Sequence, residues 1–197
     1  MSGRRGRALG HGASSNTGLV ESDAWTCYPS NVQGKLATVE ELKEIVAKAK
    51  AAGEKVVFTN GCFDLLHVGH LHLLREARKL GDLLIVALNS DDSVGRIKGP
   101  QRPVLPEAER AELIGALEMV NYVAIFNEAE PANLIQALNP DVLVKGGDWP
   151  LDRIVGRETV EAAGGRVLTI PLVPGVSTTT LVDRILDRVG HGLEPRP

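Results

Sequence analysis

Apolar residues recur along this chain in two alternating patterns, one typical of helices and the other typical of buried strands. Thr38 and Glu41 form a capping-box signature, which predicts that a helix begins here. The apolar residues that follow recur at helical spacing: Val39, Leu42, Ile45, Val46 and Ala49. Residues 55–61 (KVVFTNG) then form a short apolar run that ends at Asn-Gly. Such a run predicts a strand after the first helix.

The same alternation continues through most of the chain. Further strands are predicted at residues 83–89, 122–126, 141–145 and 166–170. Helices are predicted at residues 71–80, 106–117, 131–138 and 154–163, and a last helix begins at Ser177. The strands are continuous runs of Val, Leu and Ile, as in parallel strands that are buried on both faces. We therefore predict an α/β fold with a doubly wound, five-stranded parallel sheet that binds ligands at the carboxyl ends of its strands.

The two ends of the chain lack this periodicity. Residues 1–35 are rich in Gly, Ser and Arg, and they offer too little apolar surface to offset the entropy of ordering. We predict a flexible tail over residues 1–35, a single domain over residues 36–190 and a short tail over residues 191–197.

Composition narrows the classes of function. The 197 residues carry a formal net charge of −3, so no global positive field draws the chain to nucleic acid. The two cysteines, Cys27 and Cys62, are too few for a disulfide framework and do not cluster with histidines as in a structural zinc site. The sequence has neither a secretory signal pattern nor an apolar run of membrane-spanning length. We predict a cytoplasmic protein without a nucleic-acid or membrane partner.

The segment NGCFDLLHVGH, at the end of the first predicted strand, carries the most specific chemical signal. His67 and His70 are three residues apart at the start of a helix, so their side chains point to the same side, and Gly69 lets a ligand approach the backbone. By itself such a pair fits a phosphate site, a metal site or a structural role. The unpaired N–H groups and the partial positive charge of the helix amino terminus favour a phosphate.

Several common motifs are absent. A third metal ligand at close spacing and the HExxH pattern are both missing, so we predict no metal ion bound by the protein alone. The P-loop pattern and the GxGxxG fingerprint do not follow the first strand. Their absence argues against a P-loop kinase and against an ordinary dinucleotide-dependent dehydrogenase.

Three further polar clusters are candidates for ligand contact. In GVSTTT, Ser177 can cap the last helix while hydroxyl and N–H groups face an anion, although a simple helix cap is the alternative. RIKGPQRP places basic residues around a Gly-Pro loop, which fits either a loop that closes over phosphates or ordinary surface charge. KGGDW places two glycines at a strand end, which fits either a backbone close to a ligand or a tight turn.

Together these motifs resemble the nucleotidyltransferases whose signature is His-x-Gly-His after the first strand, with Ser177-Thr178-Thr179 similar to their second signature. The segments ARKLGD, LNSDDS, KGPQRPV, KGGDW and PGVSTT are similar, in the same order, to the adenylyltransferase half of the ADP-heptose synthesis enzymes. The resemblance implies a Rossmann-like nucleotidyltransferase fold. It also implies transfer of AMP from ATP to D-glycero-β-D-manno-heptose 1-phosphate, giving ADP-heptose and pyrophosphate.

Two alternative functions stay open. One is a glycerol-3-phosphate cytidylyltransferase, a family with which the chain shares the GxFDLLHxGH and STT elements. The other is a nucleotide-binding sensor without catalytic activity.

The resemblance also implies roles for individual residues. The expected catalytic residues are His67, His70 and Lys98. The expected nucleotide-binding residues are Asn60, Gly61, Cys62, Phe63, Asp64, Gly69, Asn89, Gly147, Asp148, Gly175, Ser177, Thr178 and Thr179. The expected ligands of the acceptor's phosphate are Arg102, Arg110 and Lys145.

The implied partners are small molecules: ATP, with Mg²⁺, and a sugar 1-phosphate. In some relatives this domain is fused to a sugar kinase, whereas the region before residue 36 is too short for one. We therefore expect a separate heptose kinase to act before this protein. The family is also compatible with a homodimer.

Overall fold

The computed structural model describes residues 34–147 and 149–190. The predicted tails lie outside these ranges, except for Gly34 and Lys35. The elements, in chain order, are helix α1 (Val39–Ala51), strand β1 (Val56–Gly61), α2 (Val68–Arg78), β2 (Leu83–Asn89), α3 (Asp91–Lys98), α4 (Glu107–Gly115), β3 (Tyr122–Phe126), α5 (Ala132–Leu138), β4 (Val142–Gly146), a 3₁₀ turn (Leu151–Arg153), α6 (Arg157–Ala162), β5 (Arg166–Ile170) and α7 (Thr178–Gly190).

The five strands form one sheet in the order β3-β2-β1-β4-β5, and every neighbouring pair is parallel. The chain leaves β1 toward β2 and β3, then returns to the other side of β1 for β4 and β5. The sheet therefore has a topological switch point between β1 and β4, where ligands of such sheets bind beyond the strand ends. The predicted fold class is confirmed.

Helices cover both faces of the sheet, and each face has its own apolar core. Val56 and Phe58 of β1 contact one cluster, which also contains buried residues of α1, α5 and α6. Val57, between them, contacts the other cluster, which includes buried residues of α2 and α4. Successive side chains of a strand point to opposite faces, so both faces of β1 are apolar until its last residues.

The ends of several helices follow from local chemistry. The capping box of α1 is confirmed, because the Thr38 side chain accepts from the Glu41 amide while the Glu41 carboxylate accepts from the Thr38 amide. Helix α6 begins at Arg157, three residues after the predicted start. The reason is Gly156, whose φ of +84° places it in the left-handed region and keeps the preceding residues out of the helix.

Residues 35–37 extend the sheet beyond β3. Leu36 forms a parallel bridge with Val123, and the Val123 amide donates to the carbonyl of Lys35. Residues 35–37 therefore lie at the edge of the sheet, beside β3.

Leu143 in β4 is fully buried in the first core cluster. We expect Leu143→Ala to lower the free energy of unfolding by about 2–5 kcal/mol, because it removes buried apolar surface and leaves a cavity. Urea denaturation measures the change. The matched control is Leu172→Ala, since Leu172 is 53% exposed and its truncation should change stability by less than about 0.5 kcal/mol. Equal losses for the two variants would contradict the burial described here.

Candidate functional site

Polar side chains appear in β1 only near its carboxyl end, beside the switch point. Among the described residues, three buried side-chain atoms have no hydrogen-bond partner: Thr59 Oγ1, Asn60 Oδ1 and His70 Nδ1. All three belong to the end of β1 or to the first turn of the helix after it. Buried polar atoms are normally paired, so three unpaired ones in one short segment indicate a place where a ligand supplies partners.

His67 and His70 are stacked at the start of α2, with ring centroids 3.7 Å apart and an interplanar angle of 17°. His67 is the N-cap residue, and its Nδ1 accepts from the His70 amide over 3.3 Å. Since Nδ1 is an acceptor, the proton of neutral His67 lies on Nε2, which is available to donate to a ligand. The pair therefore adds side-chain donors to the free N–H groups of the helix amino terminus.

Both histidines are held in the neutral form. Burial and, to a smaller extent, the neighbouring His67 lower the pKa of His70 to about 4, although the Asp64 carboxylate acts in the opposite direction. Burial also lowers the pKa of His67. Without a bound anion, the two imidazoles can stack at short distance because neither carries a charge at neutral pH.

The ring of Phe63 packs against the ring of His70. The φ of Phe63 is +44°, in the left-handed region, which is uncommon for a residue with a large side chain. The buried ring lies 5.0 Å from the ring of His70. A Cβ on Gly61 would approach the Phe63 ring to 3.1 Å, so glycine at this position lets the ring pack against the turn.

Gly69 provides space for protein rather than for a ligand. A Cβ here would lie 2.9 Å from Nδ1 of His67 and 3.8 Å from Cγ1 of Val176. The missing side chain thus leaves room for the imidazole of His67. It also shows that the loop before α7 lies beside the first turn of α2.

The second signature begins α7 as predicted. The Ser177 hydroxyl accepts from the Thr180 amide over 3.0 Å and lies 2.8 Å from the Thr180 hydroxyl. Gly175, with a φ of +71°, forms the turn before it. Thr178 is half-buried and Thr179 is exposed. Because Val176, just before α7, lies beside Gly69 in α2, the amino termini of these two helices are near each other.

Asp64 and Arg102 form an ion pair with an N···O distance of 2.6 Å. Burial raises the pKa of Asp64, but hydrogen bonds from the Leu105 and Val104 amides and from Arg102 outweigh it and hold the pKa below its usual range. Asp64 was expected at the nucleotide and Arg102 at the acceptor. The structure brings these two side chains into contact.

Arg110 occupies a different position from the one expected of an acceptor ligand. It is fully buried, and its guanidinium donates to the carbonyls of Leu105, Cys62 and Asn89 and to the carboxylate of Asp91. A side chain with no exposed surface and this many protein acceptors joins the ends of β1 and β2 to each other. We therefore assign Arg110 to the framework beneath the site.

Lys145 belongs to β4, and its side chain reaches the end of β1. Its Nζ donates to the carbonyl of Asn60 over 3.3 Å and lies 5.8 Å from the ring centroid of Trp149. Gly147 does not face open space, since a Cβ there would approach the Ile170 carbonyl to 3.1 Å. Its small size lets the ends of β4 and β5 come together. Asp148 lies outside the described residues.

Three of the predicted residues remain to be placed: Lys98, Cys62 and Asn89. Lys98 is exposed at the end of α3, and it lies near the half-buried thiol of Cys62. Burial raises the pKa of Cys62, and the cations of Lys98, Arg110 and Arg102 offset this only in part. Asn89 is buried and donates to the Ser93 hydroxyl, so its side chain belongs to the start of α3.

Two residues of the site were not among the predicted ones. Thr59 is the first polar residue after the apolar run of β1, which is the signal that would have indicated it. Asp91 is the carboxylate that pairs with Arg110 at 2.7 Å. No local sequence pattern links Asp91 to Arg110, because the two residues are 19 positions apart in the chain.

Comparison with known proteins agrees with this geometry. Residues 58–184, from β1 to the middle of α7, match the model of the family described as cytidylyltransferase-like. The chain belongs to this cytidylyltransferase-like family. The match spans both signature motifs, and it confirms the prediction of a nucleotidyltransferase enzyme.

Curated relatives in this family include the bifunctional protein HldE of several bacteria. The chain is 48% identical to HldE of Syntrophotalea carbinolica over 86% of its own length, and 53% identical to HldE of Trichlorobacter lovleyi over 78%. These matches cover 35% and 31% of the relatives. The chain thus spans about a third of the length of the curated relatives it matches.

Two solved structures share the fold. A lipopolysaccharide core biosynthesis protein from Thermoplasma volcanium is 30% identical with a TM-score of 0.51, over 61% of this chain and 98% of that one. Pantoate-beta-alanine ligase from Francisella tularensis, solved with an ATP analogue and beta-alanine, gives a TM-score of 0.55 over 82% and 80% of the two chains. Its 14% identity shows only a common fold.

Within residues 34–147 and 149–190, every helix is too short or too polar to span a lipid bilayer. The same residues contain no group of three or more His, Cys, Asp or Glu side chains arranged to hold a metal ion.

The low pKa of His70 makes stability depend on pH. Because the folded-state pKa is about 4 and the unfolded value about 6.5, the unfolded chain binds a proton in this range that the folded protein does not. The free energy of unfolding should fall as pH falls from about 6.5 to 4. In His70→Gln we expect this loss to be smaller by about 2 kcal/mol at pH 5. Urea denaturation at pH 7.5 and pH 5 measures it, with His72→Gln as the control on the same helix. Identical pH dependence in all three proteins would contradict the burial of a neutral His70.

Proposed function

We propose that this chain transfers AMP from ATP to D-glycero-β-D-manno-heptose 1-phosphate, giving ADP-heptose and pyrophosphate. The observation that carries the proposal is the stacked, neutral pair His67 and His70 beside the amino terminus of α7. This arrangement offers imidazole donors and two helix amino termini to a polyphosphate. Both features favour anions without placing a permanent charge on the imidazoles.

The proposed reaction is a direct displacement at phosphorus. A phosphate oxygen of the acceptor attacks the α-phosphorus of ATP in line, and a new P–O bond forms. The bond from the α-phosphorus to the bridging oxygen breaks, and pyrophosphate leaves with that oxygen. The attacking phosphate is already an anion at neutral pH, so no general base is required. Catalysis then depends on positioning and on stabilising charge at the reacting phosphates.

The side chains divide this work by their place in the fold. Nε2–H of His67 and the imidazole of His70 donate to oxygens of the reacting phosphates. Lys98 and the start of α7, with Ser177, Thr178 and Thr179, hold the β- and γ-phosphates. The nucleoside lies along the end of β1 and the loops beside it, near Asn60, Gly61, Cys62, Phe63, Gly147 and Gly175.

Magnesium enters this scheme as part of the substrate, in complex with ATP. In such sites Mg²⁺ is bound mainly through phosphate oxygens of the nucleotide and through few protein groups. When bound with ATP, the ion would supply positive charge that offsets the negative charge of the leaving pyrophosphate.

The choice of a sugar phosphate as acceptor rests on similarity. The sequence motifs resemble the ADP-heptose branch, the relatives are named HldE, and one similar structure is named for lipopolysaccharide core biosynthesis. We further propose that a separate kinase supplies the heptose 1-phosphate and that the reaction takes place in the cytoplasm, where ATP is abundant. The homodimer stays a prediction.

A second candidate is a cytidylyltransferase that acts on glycerol 3-phosphate. The description of the matching family as cytidylyltransferase-like favours it, since the same fold and signature serve both reactions. The two candidate functions differ in the nucleotide that the protein uses, which is ATP for the first and CTP for the second.

The deciding experiment measures pyrophosphate release by the purified full chain with Mg²⁺. ATP, CTP and GTP are each paired with D-glycero-β-D-manno-heptose 1-phosphate and with glycerol 3-phosphate. We expect release with ATP and the heptose phosphate alone. Release with CTP and glycerol phosphate would replace the proposed substrates, and no release with any pair would favour a non-catalytic nucleotide sensor.

His70 provides a second test of the mechanism. We expect His70→Ala to reduce kcat by about 10²- to 10³-fold, because removing one preorganised donor to the reacting phosphates has a cost of this size. His72→Ala is the control, since His72 lies on the same helix outside the site. Full activity in a folded His70→Ala protein would refute the donor role.

A further inference from the structure

Among the described residues, four donor groups from one distant segment contact the carboxylate of Asp64. Its side chain is 1% exposed and lies in the turn between β1 and α2. Oδ2 accepts from Nε of Arg102 over 2.7 Å and lies 2.6 Å from Nη2 of the same side chain. The Val104 and Leu105 amides each donate to the carboxylate over 2.9 Å. These partners lie in residues 99–105, which we call the α3–α4 loop.

This arrangement uses the acceptor capacity of Asp64. An ionised carboxylate has two oxygens with about four lone-pair positions, and here four donor groups approach it. Because the carboxylate is buried and its lone pairs are occupied, it has little acceptor capacity left for a nucleotide. Asp64 therefore acts on the loop rather than on a ligand.

The contacts also fix the direction of the Arg102 guanidinium. Two of its nitrogens, Nε and Nη2, face Asp64, whereas no hydrogen bond in the described residues involves Nη1. The guanidinium is planar, so holding two nitrogens sets the direction of the third. The side chain is 24% exposed, which leaves it accessible to a ligand.

Arg110 holds the same end of the loop a second time, through the carbonyl of Leu105. Arg110, fully buried, donates to the carbonyl of Leu105 and to the carbonyls of Cys62 and Asn89. The α3–α4 loop is thus tied to the carboxyl ends of β1 and β2, next to the histidine pair. Arg102 is held at this place in the crevice while one of its nitrogens stays available.

We propose that Asp64 is a positioning residue, which orients Arg102 to bind the phosphate of the acceptor. The inference rests on the proposed function, because that function supplies an acceptor with a phosphate group. Asp64 itself does not touch the substrate. A carboxylate that merely stabilises the fold would affect both substrates alike, whereas one that acts through Arg102 affects the acceptor alone.

The test compares Asp64→Asn, Arg102→Lys and the double variant with the wild-type chain, under the assay conditions given above. We expect each single variant to raise KM for the sugar 1-phosphate by about tenfold or more, since a charge-assisted or bidentate contact is lost. KM for ATP and kcat should change by less than about threefold. The double variant should be no worse than Arg102→Lys alone, because the two residues act in one chain of contacts.

Asp141→Asn is the matched control. Asp141 also accepts from a backbone amide, that of Val56, and also pairs with a cation, Lys50, but it lies at the amino end of β1. We expect this variant to lose stability without a change in either KM. The positioning role would be overturned if the effects of the two substitutions on KM for the sugar 1-phosphate multiplied in the double variant. An equal rise in both KM values for Asp64→Asn would also overturn it.

A second readout needs no substrate. Hydrogen exchange at the Val104 and Leu105 amides should be about tenfold faster in Asp64→Asn, because their acceptor is weakened. Unchanged exchange would overturn the fastening of the loop whatever the substrate is. Faster exchange with an unchanged acceptor KM would overturn the positioning role and leave the proposed function intact. Faster exchange in a protein that transfers no nucleotide would overturn both the proposed function and the role in acceptor binding, and would keep only the contact.

Discussion

The structure depends on the burial of β1 on both faces at the centre of a parallel sheet. Its first residues are apolar and fully buried, and its polar side chains begin only near its carboxyl end, at Thr59 and Asn60. That point lies beside the switch between β1 and β4, where the helices on the two sides diverge. A single constraint thereby places the polar residues, the helix amino terminus and the crevice together.

Charged groups near this crevice serve mainly to hold the framework. Arg110 is buried without exposure because carbonyls from two strand ends and one carboxylate satisfy its donors. Asp64 is satisfied in the same way by a loop about 40 residues away. Such groups are costly to bury alone and acceptable only when they are paired. The loops around the site are thus held by polar contacts. An apolar core in the same place would exclude water and substrate.

The polar atoms that are left without partners are concentrated beside the histidine pair. His67 and His70 are neutral and stacked at the start of α2, and the buried Nδ1 of His70 has no hydrogen-bond partner. A permanent charge there would repel its neighbour and require solvent, whereas neutral imidazoles tolerate burial. In the proposed reaction, the phosphates of the substrates bring the negative charge. This division between satisfied framework and unsatisfied ligand groups fits the membership in the cytidylyltransferase-like family.

The sequence by itself determined the fold class, the five strands, the capping box of α1 and the histidine pair at the start of α2, because each depends on neighbours within a few residues. Tertiary structure decided what the charged residues do. Arg102 and Arg110 look alike as basic residues near a loop, yet one is part-exposed with a free nitrogen and the other is fully buried. Their partners lie 19 to 48 positions away, apart from the Leu105 carbonyl. Contacts at such separations are set by the order of strands in the sheet, which local periodicity does not encode.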